Sequence, residues 1–216
     1  LVDSESRQVR RLLLDRLVTL QPEVGLFATR HLDDPRWYVT RNMLWLLNGV
    51  DIIPEGFVPD AYLHHENDNV RYEAVRLGTR FPRGREKVIS HGLADENEKT
   101  VRLALNAAIV ICPNSALPRV VSRALSGPTD VRLLAIRVLE AVGTEMALSA
   151  LLKLTRPTRG LFRLKHPAKD PVYLAALRAL HSSSYEPRVL EVLDLARARR
   201  DPEIAAAARQ GSDRDG

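Results

Sequence analysis

The 216 residues are 45% hydrophobic and carry a formal charge of +5, which supports one sizeable core and allows one or two domains. No apolar run approaches the ~18–20 residues that span a bilayer; the longest, Ala104 to Cys112, is interrupted by Asn106. Cys112 is the only cysteine, which excludes an intramolecular disulfide. Inside an apolar run it reads as a small buried side chain. A reducing, cytoplasmic compartment is expected. The chain begins at Leu1 rather than methionine and is expected to be part of a larger bacterial protein or complex. Arginine outnumbers lysine 27 to 5. Such a bias accompanies GC-rich genomes, so the positive charge alone is no evidence for nucleic acid.

In chain order, Glu5 to Leu20 reads as a helix capped by Ser4, with Val9, Leu12, Leu13, Leu17 and Leu20 at helical spacing. Pro22 opens a second helix over Glu23 to His31. Asp33-Asp34-Pro35 opens a third, which runs to about Leu47 and stops at Asn48-Gly49. Pro54, Gly56 and Pro59 break the next segment, leaving a short helix near Asp60 to His65. Further helices are expected from Asp68, with Val70, Ala74, Val75 and Leu77 inward, and over Arg83 to Leu93, Glu96 to Cys112 and Ser115 to Leu125. The series continues with Thr129 to Val142, Thr144 to Leu154, Asp170 to Leu180, Glu186 to Ala198 and Asp201 to Gln210. Residues 211–216 form a polar tail with no reason to order.

One phrase recurs through these elements. Val39, Val70, Val101, Val131, Val172 and Ile204 each open an apolar helix, at spacings of 31, 31, 30, 41 and 32. Arg71, Arg102 and Arg132 follow directly in three of them, and Ala74, Ala135, Ala176 and Ala208 lie four residues after the opener. Met43 and Leu105 take that place in the other two units. A period in this range signals stacked helix pairs, because one pair cannot bury its apolar face alone.

The phrases Asn69 to Gly78 and Thr129 to Leu139 resemble those of the HEAT and HEAT-like (phycobilisome-lyase type) repeat family, with weaker copies at Asp170 to Leu180 and Asp201 to Ala208. The similarity covers roughly Asp33 to Gln210. The fold expected is all-α: a right-handed α-solenoid of about six stacked antiparallel helix pairs, HEAT/armadillo-like, forming one domain over residues 1–210. The resemblance implies a protein-binding scaffold, a tetrapyrrole-protein lyase or chaperone subunit, or a DNA-glycosylase-like solenoid.

Two departures from repetition carry the candidate sites. The 41-residue spacing holds about ten extra residues at 156–168, expected to form a loop on one face. From Lys153 to Lys169 there are six cations (Lys153, Arg156, Arg159, Arg163, Lys165, Lys169) and no acid. Without this stretch 26 bases face 27 acids, so the whole net positive charge is local. With Leu161, Phe162 and Leu164 at its centre, the loop could dock on an acidic protein surface, phosphate backbone or anionic lipid, or could simply plug the gap between two units. The second departure is aromatic. Eight of eleven aromatics lie from Phe27 to Phe81, and Trp37, Arg41 and Trp45 share one helix face. Two indoles around a guanidinium can grip a ligand; packing between neighbouring units is the favoured explanation.

His64-His65-Glu66 suggests a metal, but adjacent histidines on a helix point about 100° apart and no second cluster supplies further ligands. No phosphate loop, nucleophile elbow or dinucleotide glycine motif is present. No catalytic residue, metal or cofactor is therefore expected. The function expected is a non-catalytic protein–protein interaction scaffold, using Arg156, Arg159, Phe162, Arg163, Lys165, Lys169, Trp37, Arg41 and Trp45 toward an acidic partner. A nucleic-acid-binding, glycosylase-like solenoid is the first alternative, with Trp37, Tyr38, Trp45 and Asp34 as its pocket. A bilin-lyase-like or chaperone subunit is the second.

Overall fold

A computed structural model describes residues 7–20, 23–82, 84–159, 164–165 and 167–210. The Ser4 cap, Pro22, Phe162, Arg163, His166 and the tail from 211 onward lie outside these residues. The chain forms two compact units, Leu1–Ala104 and Leu105–Gly216.

The first unit contains α1 (Arg7–Val18), α2 (Glu23–Arg30), α3 (Trp37–Gly49), a 3-10 turn at Pro59–Tyr62, α4 (Asp68–Gly78) and α5 (Arg85–Ala94), and ends within α6 (Glu98–Val110). Helix α3 packs on α1, α2 and α4, and α4 on α5 and the 3-10 turn. The second unit continues with α7 (Leu117–Leu125), α8 (Thr129–Val142), α9 (Glu145–Thr155), α10 (Pro171–Ala179), α11 (Pro187–Arg197) and α12 (Pro202–Ala207). There α8 packs on α7, α9 and α10, and α12 on α10 and α11.

The repeated phrase is a burial pattern. Val39, Val70, Val101, Val131, Val172 and Ile204 are all buried, as are the residues four positions on, Met43 and Leu105 included. The helix starts follow from local chemistry. Asn67, Thr144, Asp170 and Asp201 each accept a hydrogen bond from a first-turn amide of α4, α9, α10 and α12, satisfying donors that have no partner within the helix. Asp34 accepts from the Arg36 amide at 2.9 Å, so α3 begins at Trp37, two residues past the proline.

In two of the three units that carry it, the recurring arginine fastens its helix to the segment before it, whereas Arg102 pairs with Glu98 of its own helix at 3.3 Å. Arg71 Nη1 donates to the carbonyls of His65 and Glu66, and its Nε and Nη2 grip the Asp95 carboxylate at 2.8 and 3.1 Å. Arg132 Nε donates to the Ala124 carbonyl at 3.1 Å.

Several expectations are corrected. Leu12 and Leu13 of α1 and Leu20 just beyond it are exposed, while Leu14 is buried and Leu17 packs half-buried against the core; the inward face runs through Leu14 and Leu17 rather than through Leu13. Asn48-Gly49 is not a left-handed stop. Gly49 lies within α3 without a positive φ, and a Cβ there would meet Val18 Cγ2 at 2.6 Å, so close helix approach requires the glycine. Arg80 finishes α3 instead, donating to the carbonyls of Leu47, Asn48 and Val50. By contrast Gly143, at φ +61°, ends α8 as the sequence predicts. Cys112 lies beyond the end of α6 and is only partly buried; what burial it has pushes its thiol pKa up. The 156–168 segment is not a plain loop. Thr158–Arg159 pairs antiparallel with Leu164–Lys165 as a short two-stranded ladder.

Candidate functional site

Trp37, Arg41 and Trp45 of α3 line a groove of about 630 Å³ in the first unit, together with Asp68, Asn69, Tyr72, Glu73 and Arg76 of α4 and Asn97 and Lys99 beside the start of α6. Trp37 is 39% exposed at its wall. Trp45 is half-buried, resting against the aliphatic core of the unit. The stripe therefore serves packing at one end and faces solvent at the other.

The repeat explains why these residues meet. Adding the 31-residue period to Trp37, Arg41 and Trp45 lands on Asp68, Tyr72 and Arg76, and adding it again to Asp68 lands on Lys99. Equivalent positions of successive first helices share one side, so a stripe on α3 is continued on α4 and α6. Tyr72, Arg76 and Lys99 are legible in this way only when the period is applied to the stripe; the buried positions of the repeat do not point to them.

Two carboxylates sit in the groove. Asp68 is engaged by side-chain amides: Asn69 Nδ2 donates to Oδ1 at 2.9 Å and Asn97 Nδ2 to Oδ2. Glu73 is buried, and burial pushes its pKa up, against the lowering influence of Arg76, Arg41 and the hydrogen bond from Asn48. Asn48 Nδ2 also reaches the Leu44 and Glu73 carbonyls, tying α3 to α4. Among the groove's cations, Arg76 approaches Glu73 at 3.5 Å while remaining 46% exposed, and Lys99 is exposed.

Asn42 stands out for the opposite reason. It is only 5% exposed, and its Oδ1 is buried with no hydrogen-bond partner. Native structures seldom leave such a group unpaired. Asn42 and Leu14 also line a second, smaller pocket of about 140 Å³, whose wall combines apolar side chains such as Leu17, Val39 and Met43 with His31, Asp34 and Arg36.

Of the pocket set of the nucleic-acid alternative, Trp37 and Tyr38 meet edge-on with ring centroids 5.9 Å apart, but the set does not line one pocket. Asp34 lines the smaller pocket, Trp37 and Trp45 line the groove, and Tyr38 packs against the core. Arg36 grips the Asp34 carboxylate through two hydrogen bonds and holds its pKa down at about 2.

In the basic insertion, Arg156 is exposed at the end of α9. Arg159 and Lys165 lie on the two short strands, with side chains outside what the structure describes. Lys169 is already paired, at 3.1 Å with Asp201 and 2.6 Å with Glu203. His64 and His65 lie in a turn rather than on a helix, and the structure brings His91 of α5 edge-on to His64, with ring centroids 4.4 Å apart. Among the described residues no three His, Cys, Asp or Glu side chains gather as metal ligands. Among them, too, no helix is long and apolar enough to cross a membrane.

No family model and no curated protein matches the chain. Among solved structures it is similar to the crystal structure of YibA from Escherichia coli, with a TM-score of 0.65 and 16% identity over 96% of this chain and 77% of that one. A computationally designed armadillo repeat protein for modular peptide recognition matches with a TM-score of 0.37 and 16% identity, over 96% of this chain and 94% of that one. The second likeness is too low to carry an argument, and the first speaks to fold alone. The chain has an all-α, HEAT/armadillo-like helical-repeat fold.

Proposed function

We propose that the chain is a non-catalytic protein-interaction scaffold that binds its partner in the α3–α4 groove of the first unit. The observation that supports this reading best is that Trp37, Arg41 and Trp45 line a solvent-facing groove with Asn69, Tyr72 and Arg76. Aromatic and arginine side chains dominate binding energy at protein interfaces. The basic segment, through Arg156, Arg159, Phe162, Arg163 and Lys165, is proposed as a further contact for an acidic surface, supported by its local charge. Lys169, held by Asp201 and Glu203, fastens the end of that segment instead.

Trp37 and Trp45 are the only tryptophans of the chain, so intrinsic emission reports on the groove directly. Peptides selected from a displayed random library should shift that emission on binding. They should lose about tenfold in affinity to a folded Trp37→Ala variant. Selected peptides that bind tightly, leave the emission unchanged and ignore the substitution would place the binding surface elsewhere.

A further inference from the structure

We propose that a second copy of this chain docks head to tail, with α1 of one copy packing on the outer face of α11 of the other. This contact lies outside the groove and does not depend on it.

The repeat shows which positions a neighbouring helix covers. The residue four places after each opener is buried in all six units. In α3 that residue is Met43, which shares the smaller pocket with Leu14 and Leu17 of α1, so the position faces the preceding helix. Val9 precedes Val39 by 30 residues, the spacing that also separates Val101 from Val131, and Leu13 therefore takes the same place on α1. Leu13 is nevertheless 40% exposed and Leu12 beside it 59%. Arg16, one turn on, is exposed as well. Scattered exposed leucines are ordinary; a leucine at a position that every other unit buries marks an uncovered stacking face.

The last helices leave the converse face open. The 41-residue spacing from Val131 to Val172 also aligns α9 with α11, and buried Leu148, Leu151 and Thr155 fall on buried Val189, Val192 and Ala196. In the same register Ala150 and Leu154 fall on Glu191 and Leu195. Ala150 is buried and Leu154 half-buried, whereas Glu191, Leu195 and the adjacent Leu190 are exposed. Helix α9 has α11 beside it. Among the described residues α12 follows α11 without a second helix of its own, and a helix is missing from the place beside α11.

Charge selects which helix fills that place. Helix α1 carries four arginines against one aspartate, so two α1 helices face to face would set arginine against arginine. On α11, Arg188 is held by Glu145 and Arg197 by Asp194, each at 2.9 Å. Glu191 on α11 and Arg16 on α1 are exposed, and neither has a charged partner among the described residues. Leu12 and Leu13 of one copy thus cover Leu190 and Leu195 of the other, while Arg16 meets Glu191.

Sedimentation equilibrium of the whole chain tests the contact. The wild type should associate as concentration rises, and less so as salt rises. Each copy in a pair keeps one unused end, so association continues past two copies unless the ends meet. Leu13→Glu spoils the head and Leu195→Glu the tail. Each should weaken association about tenfold or more while leaving the thermal midpoint near that of the wild type, since both side chains are exposed. Mixed one to one, the two variants should form a dimer and nothing larger, because each retains the end that the other lacks. Arg16→Glu and Glu191→Arg should each weaken association a few-fold, and the two combined in one chain should recover it.

A wild type that stays monomeric at every concentration would overturn the proposal. So would a mixture of the two leucine variants that fails to dimerise while the wild type associates, because like ends would then be meeting. Association unchanged in Leu195→Glu would equally remove α11 as the receiving face.

Discussion

Replacing Arg71 by alanine tests whether the recurring arginine is a structural fastener. The guanidinium makes two bonds to the Asp95 carboxylate and one each to the His65 and Glu66 carbonyls. Its side chain is 19% exposed and that of Asp95 only 5%. Bonds to charged groups contribute roughly 1.5–3 kcal/mol net and neutral ones about 1. Removing one partner of a well-buried pair costs about 3–5 kcal/mol, and of an exposed pair about 0–1. This pair lies between those limits, so Arg71→Ala should cost about 2–3 kcal/mol. Arg132, at the same place in its own unit, makes one bond to a neutral carbonyl, and Arg132→Ala should cost about 1 kcal/mol. Urea unfolding followed by circular dichroism would measure both, and a double-mutant cycle with Asp95→Ala would isolate the coupling. Equal costs for the two arginines, or no coupling between Arg71 and Asp95, would refute the reasoning.

Gly92→Ala should lose about 1–3 kcal/mol, because its Cβ would stand 2.7 Å from Ala104 Cβ and 3.1 Å from Val75 Cγ1, and an alanine methyl has no rotamer to escape into; thermal melts would show it. Glu73 has its pKa raised above the ordinary 4.5 by burial, so the folded state binds its proton more tightly than the unfolded state. Its contribution to stability is fully present below about pH 4.5 and is lost as pH rises through the folded value. Glu73→Gln should therefore gain stability relative to the wild type from pH 4 to pH 7, and parallel stability–pH curves for the two proteins would contradict the assignment.

Much of the fold was legible because its signals are local or periodic. An aspartate or threonine before a helix acts on amides two or three residues away, so the starts of α9, α10 and α12 could be read within a residue or so. The 31-residue period marked the six buried openers correctly, since equivalent residues of stacked pairs face the same neighbours. Where several leucines lie close together the pattern was ambiguous, as on α1. Neighbouring apolar positions there differ by about 100° of rotation, and only the neighbouring helices decide that Leu14 rather than Leu13 is covered.

The sequence by itself determined the repeat, its phase, the starts of several helices and the candidate stripe of Trp37, Arg41 and Trp45. Tertiary structure decided the rest. It set Tyr72 and Arg76 along one groove with that stripe, left the Asn42 Oδ1 buried without a partner, committed Lys169 to Asp201 and Glu203, and sent Arg80 back to finish α3. Asn42 apart, each of these joins segments about 30 positions apart, and contacts at that range depend on how whole helices face one another. A periodicity specifies which residues are equivalent; the packing of one helix on the next specifies which of them meet.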